Sequence, residues 1–134
     1  MNFDWPVRVY YEDTDAGGVV FYANYLKFME RARTELLRHY GFEQDQIRET
    51  HHVIFAVRQV QIDYHKPARF NQLLTVHTKI TECKKASLVF HQSITPDGDD
   101  VCLCSANIKV ASLNPTSFKP VAIPQIIREK ISVD

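Results

Sequence analysis

The sequence predicts an α+β domain. Two observations carry this: one long stretch of helical periodicity near the start of the chain, and four long strand-like stretches in succession behind it. Elements segregated in this way pack as a helix on an antiparallel sheet, whereas regular alternation would build a doubly wound parallel sheet. A third observation sets the scale. The 134 residues correspond to one domain, spanning 1–134, and suffice to bury a core without metal or disulfide staples.

The elements follow in order. Val7, Val9 and Tyr11 alternate with Arg8, Tyr10 and Glu12, which predicts a short first strand. Asp13-Thr14-Asp15-Ala16-Gly17-Gly18 breaks that alternation and reads as a loop. From about Tyr22 to Tyr40, the residues Tyr22, Leu26, Met29, Ala32, Leu36 and Tyr40 recur at spacings of three and four, one face of a helix. Asn24 is a candidate N-cap and Gly41 a natural C′ residue. Glu30/Arg33 and Arg31/Glu35 are spaced to pair on its outer side. A helical turn is expected around 43–49.

The strands come next. Val53, Phe55 and Val57 occupy odd positions, and Val60, Ile62 and Tyr64 even ones. Side chains alternate with period two, so this change of parity demands a bulge or bend near Arg58-Gln59. Pro67 ends the strand. Leu74 to Ile80, Leu88 to Ile94 and Cys102 to Val110 mark three more strands, with a turn at Thr95-Pro96-Asp97-Gly98. A short helix is expected after Pro124.

Composition excludes several functions. Sixteen basic residues balance sixteen acidic ones, so no global field draws the chain to nucleic acid or an anionic membrane. Cys83, Cys102 and Cys104 are an odd number. They read as small buried hydrophobes of a reducing compartment, because no further metal ligands stand at recognisable spacing. The N-terminal residues lack the basic and apolar regions of a signal peptide, and no apolar run is long enough to span a bilayer. The expected location is the cytoplasm. The six histidines share no spacing with a carboxylate or thiol, and each reads as structural.

The segment with chemical promise is Tyr11 to Tyr25: acidic residues, then a glycine turn, then the start of the long helix. Glycines let backbone approach a ligand closely, and a helix N-terminus offers unpaired N–H groups with partial positive charge. Such amides can stabilise negative charge growing on a carbonyl oxygen. A carboxylate just ahead of them can act as nucleophile or as general base for water. The layout suits acyl transfer. Acidic residues before a helix are also favoured by the dipole alone, so the pattern does not by itself assign catalysis.

The ordered run from Tyr11 to Arg33 resembles the signature of the 4-hydroxybenzoyl-CoA thioesterase family, which has the hotdog fold. It is most similar to the Tol–Pal-associated acyl-CoA thioesterases of Gram-negative bacteria. Asp63-Tyr64, Pro67-Ala68 and the Ser87–Phe90 strand extend the similarity. The resemblance implies a curved antiparallel sheet around a central helix, and hydrolysis of short- to medium-chain acyl-CoA, or acyl carrier protein thioesters, without metal or other cofactor. It implies Asp15, the second acid of the Asp-x-Asp pair, as the catalytic carboxylate, and the Tyr22 backbone N–H as oxyanion donor. Close members carry His at this position; here only a backbone role carries over. Gly17, Gly18 and Asp13 are expected to support the loop. Glu30 is a candidate for the acyl pocket, Lys84 and Lys85 for the coenzyme A phosphates, and Arg58 and Arg69 are lesser phosphate candidates. The family pairs protomers so that sites lie at dimer interfaces, commonly within tetramers, and in this subgroup an association at the inner membrane is implied. Two alternatives stand beside hydrolysis: a hotdog dehydratase, and a non-catalytic acyl-binding or interaction module of the Tol–Pal assembly.

Overall fold

In the computed structural model, residues 2–131 and 133 are described. The order is β1 (Asn2–Arg8), a 3-10 turn (Tyr11–Asp13), α1 (Asn24–His39), α2 (Gln44–His51), β2 (Ile54–Tyr64), β3 (Leu73–Cys83), β4 (Ser87–Pro96), β5 (Cys104–Leu113) and α3 (Gln125–Lys130). The five strands form one antiparallel sheet in the order β1-β3-β4-β5-β2. The α+β expectation holds.

Alternation sets the inner face. Leu74, Val76 and Ile80 of β3, Leu88, Phe90 and Ile94 of β4, and Cys104, Ala106 and Ile108 of β5 are buried against α1. The helix answers with Tyr25, Phe28, Met29, Ala32 and Leu36. Full burial of each Val, Leu, Ile, Phe or Met among these stabilises the fold by about 1.5–3 kcal/mol. This buried face is rotated from the predicted one: Tyr22 precedes the helix and is exposed, and Leu26 is only half-buried.

The parity switch in β2 is borne out. Its register against β5 shifts between Val57 and Gln59, so Arg58 is the bulged residue. A second shift, between Ile80 and Glu82 of β3, had no parity signal to announce it. The first strand needs correction. It runs from Asn2 to Arg8, and Tyr11 opens the 3-10 turn. Pro6 is tolerated because β1 is an edge strand, paired with β3 alone. Past Arg8 the chain is drawn off the sheet by the Asp13 carboxylate, which accepts the Tyr10 N–H at 2.8 Å.

β2 is the other edge. Ten of its eleven residues pair on one side with β5, while Val57, Val60 and Tyr64 remain exposed. A long, uncovered, partly apolar edge is a template for pairing with another chain.

Candidate active site

The loop before α1 is a narrow fold-back. Thr14 pairs with Val20, the Asp15 N–H donates to Val19 O at 2.9 Å, and the Phe21 N–H donates to Asp13 O at 2.9 Å. Gly18 lies at φ +76° and closes the turn with a bond from its N–H to Asp15 O. An L side chain there costs roughly 1–2 kcal/mol. Gly17 serves a different need. Its N–H donates to Asp15 Oδ1 at 2.8 Å, and a Cβ on Gly17 would stand 3.2 Å from that oxygen. Asp15 is exposed, and among the described residues its Oδ2 accepts no hydrogen bond.

Asp13 is the opposite kind of carboxylate. It is buried, with Oδ2 on the Tyr10 N–H and Oδ1 on the Asn24 side-chain amide at 3.4 Å. Asn24 is thus the first helical residue and ties α1 to the loop; Ala23 is the N-cap. Two acids two positions apart receive separate environments, one tied into the scaffold and one presented to solvent.

Ala23 offers no side-chain cap, and the first turn holds no acidic residue. The Asn24 N–H returns to Phe21 O and that of Leu26 to Ala23 O, while among the described residues no carbonyl or side chain accepts the Tyr22 N–H. Such amides at a helix start carry the positive end of the dipole. Beside them is an open cavity of about 270 Å³ lined by Val20, Tyr22, Tyr25, Tyr64, His65, Lys66 and Pro67. The Tyr64 hydroxyl donates to Tyr22 O at 3.0 Å, and the Tyr25 hydroxyl accepts the Ala68 N–H at 2.9 Å. Burial raises both phenols above their usual pKa; for Tyr25 the Ala68 N–H opposes the shift. These donors and acceptors stay neutral and fixed across the working range.

The sequence signalled neither Tyr64 nor His65 as a wall of this cavity. Tyr64 carries a strand signal and a place in the stretch that extends the family resemblance, neither of which points to a cavity wall. His65, whose Nε2 lies 3.4 Å from Ser105 Oγ, follows the strand by one residue.

The remaining candidates are dispersed. Glu30 lines a second cavity of about 100 Å³ with Arg33, Thr34, Leu37, Gln44, Phe55, Val57, Leu88, Phe90 and Val110. It accepts the Thr34 hydroxyl at 3.2 Å. The expected Glu30/Arg33 surface pair is not the main contact, because Arg33 turns inward to Gln92 Oε1 at 2.9 Å. Arg31/Glu35 likewise gives way to Arg38, which contacts both Glu35 and Glu43. Arg58 stands exposed on the open edge. Arg69 pairs with Val19 beside the loop. Lys84 and Lys85 sit on the β3–β4 turn, held by Arg128, whose Nη1 donates to Lys84 O at 2.8 Å. The loop adjoins the other end of β3, where Arg8 pairs with Leu73. From Leu73 to Cys83 a strand advances about 33 Å at about 3.3 Å per residue. Lys84 and Lys85 therefore do not meet Asp15 within one protomer.

A curved antiparallel sheet around one helix, with a carboxylate loop at the helix N-terminus, defines the hotdog-fold thioesterase class. Residues 17–103 match the family model described as the Thioesterase superfamily, and the chain belongs to that family. It is 46% identical over 125 residues to the acyl-CoA thioester hydrolase YbgC of Escherichia coli O157:H7, covering 93% of this chain and 92% of that protein. It is 44% identical over 127 residues to the acyl-CoA thioesterase YbgC of Haemophilus influenzae, covering 95% and 92%. Among solved structures, a probable thioesterase from Bartonella henselae superposes with a TM-score of 0.86 at 34% identity, covering 92% of this chain and all of that one. The expected fold and family are borne out.

Proposed function

We propose that this protein hydrolyses acyl-CoA thioesters to a free acid and coenzyme A, with Asp15 as the reacting carboxylate and the Tyr22 N–H as oxyanion donor. The supporting observation is the conjunction at the start of α1: an amide with no acceptor among the described residues, on the rim of a cavity, behind a loop that presents one free carboxylate oxygen. Family membership and the two named relatives support the reaction class.

The chemistry follows from the groups present. Asp15 either attacks the thioester carbonyl or takes a proton from an attacking water. In both routes negative charge grows on the carbonyl oxygen, and one well-placed N–H there stabilises the transition state by about 2.7–4 kcal/mol. The leaving group is a thiolate. A thiolate is a much weaker base than an alkoxide and departs with correspondingly less help from a general acid.

Lys84 and Lys85 enter this reading through a second copy. Antiparallel pairing of two β2 edges would bring the partner's β3–β4 turn toward the Asp15 end of the first protomer. The dimer, or a tetramer of such dimers, then completes the coenzyme A site. Glu30 belongs to the acyl side of the groove. The compartment we infer is the cytoplasm; no helix among the described residues is long and apolar enough to cross a membrane.

The test is thiol release from a panel of acyl-CoA substrates, run beside hydration of an enoyl-CoA. Thiol release without hydration is expected. Water addition without thiol release would replace hydrolysis by the dehydratase reading, and neither activity would favour a binding module.

A further inference from the structure

Arg33 stands where hydrocarbon is expected. It lies on the stripe of α1 that faces β2, in a cavity whose other walls include Leu37, Phe55, Val57, Leu88, Phe90 and Val110. It is half-buried, and burial pushes its guanidinium below the usual range while Glu30 opposes that shift. Its inward position is enforced. Gln92 is the polar member of the core row Leu88, Phe90, Gln92, Ile94 and is fully buried. Its amide nitrogen donates to Met29 O at 3.0 Å and to Thr78 Oγ1 at 2.9 Å, which leaves Oε1 aimed at Arg33 Nη1. A guanidinium has five N–H donors; among the described residues, one of these has a hydrogen-bond partner.

The seam between α1 and β2 runs from this cavity toward the one lined by Tyr22 and Tyr64. α1 and the inner face of β2 run side by side in opposite directions: Tyr22 faces Tyr64 at one end, and Leu37 shares a cavity with Phe55 at the other. Between the two cavities lie Leu26, Val60 and Ile62, none of them fully buried. The side chains between the two cavities on this seam are therefore apolar, and Glu30 and Arg33 stand at its far end. Tyr22 and Glu30 are eight residues apart, about 12 Å along the helix at 1.5 Å per residue. An extended acyl chain of roughly eight to ten carbons covers that span, given staggered carbon–carbon bonds of about 1.5 Å.

We infer that Arg33, pinned by Gln92, is the chain-length stop of the acyl groove. The inference rests on the thioesterase reading above. An alkyl tail that reaches the guanidinium strips water from a charge and returns no hydrogen bond, which is unfavourable. Shorter tails end before it. The stop acts through charge more than bulk, so a methionine of similar length removes it and a lysine retains it.

The experiment is the dependence of kcat/KM on acyl length, from acetyl- to palmitoyl-CoA, for wild type, Arg33→Met and Arg33→Lys, each checked by melting temperature and oligomer size. For wild type, kcat/KM is expected to fall beyond about ten carbons. In Arg33→Met the ratio of kcat/KM for dodecanoyl- to hexanoyl-CoA is expected to rise at least tenfold, while Arg33→Lys keeps the wild-type ratio within about threefold. Gln92→Met, which frees Arg33 from its tether, should raise the ratio partway. An unchanged ratio in folded Arg33→Met, or an equal rise in Arg33→Lys, overturns the inference. Wild type that cleaves no acyl-CoA of any length instead overturns the thioesterase reading.

Discussion

The two ends of α1 are built on opposite rules. At the C-terminal end every device for closing a helix is present. Gly41 takes φ +92°, its N–H donates to Arg38 O, and the Phe42 N–H donates to Leu37 O at 2.9 Å, which completes a Schellman motif. Arg38 and His39 face the negative pole, and Arg38 also contacts Glu35 and Glu43. At the N-terminal end Ala23 provides no side-chain cap, the first turn has no acid, and the Tyr22 N–H finds no partner among the described residues. One terminus is finished for stability. The other is left open toward a cavity, with a carboxylate ahead of it. Helix ends without partners are costly, so an end left open at the mouth of a cavity marks where a ligand completes the bonding.

Substitutions at the two ends should separate chemistry from stability. Between the two ends of the helix, the larger effect is expected from Tyr22→Pro, which deletes the N–H itself. Its kcat should fall about 10²–10³-fold, the value of one oxyanion donor, while Tyr22→Phe stays within about threefold of wild type. Steady-state turnover beside thermal melting measures both; equal turnover in the two folded variants would move the oxyanion donor elsewhere. Gly41→Ala at the closed end should cost about 1–2 kcal/mol of stability through its left-handed φ, with kcat/KM unchanged, as denaturant unfolding and assay will show. The sheet supplies a smaller effect, set by pH. Burial, with a further contribution from Cys102, pushes the Cys104 thiol up from 9.0 to about 12. Its neutral form is thus favoured by folding: the stabilisation is complete below pH 9 and is lost as pH rises toward 12. At pH 10 the loss should be on the order of 1 kcal/mol relative to Cys104→Ala measured at the same pH values.

Much of this was legible because it was local. The odd-to-even switch from Val57 to Val60 announced a bulge or bend near Arg58-Gln59, since side-chain parity must change for both halves of β2 to face inward, and the register places it at Arg58. Gly41 and the loop glycines were readable from φ and close-approach arguments that need no tertiary knowledge. The misreadings share a cause in contacts distant along the chain. Val9 and Tyr11 continue the alternation of a strand, and Val9 still bonds the 71–72 backbone, but the Asp13 carboxylate turns the chain at Tyr10 into the 3-10 turn. Glu30 and Arg33 have the spacing of a surface pair, but Gln92, 59 residues further on, claims Arg33. Lys84 and Lys85 have suitable charge, yet β3 carries them to the far end of the protomer, a separation that becomes visible only once the register with β1 is known. Asp15 and Tyr22, seven residues apart, came from the motif; the structure adds that one Asp15 oxygen is held by the Gly17 N–H while the other accepts no hydrogen bond among the described residues.

The account stands most directly on the turnover number of Asp15→Ala. Thiol release from acyl-CoA should drop by at least about 10³-fold, within the range that a nucleophile or general base supplies together with its positioning, while melting temperature and oligomer size match wild type. A folded Asp15→Ala protein that turns over acyl-CoA within tenfold of wild type would contradict it.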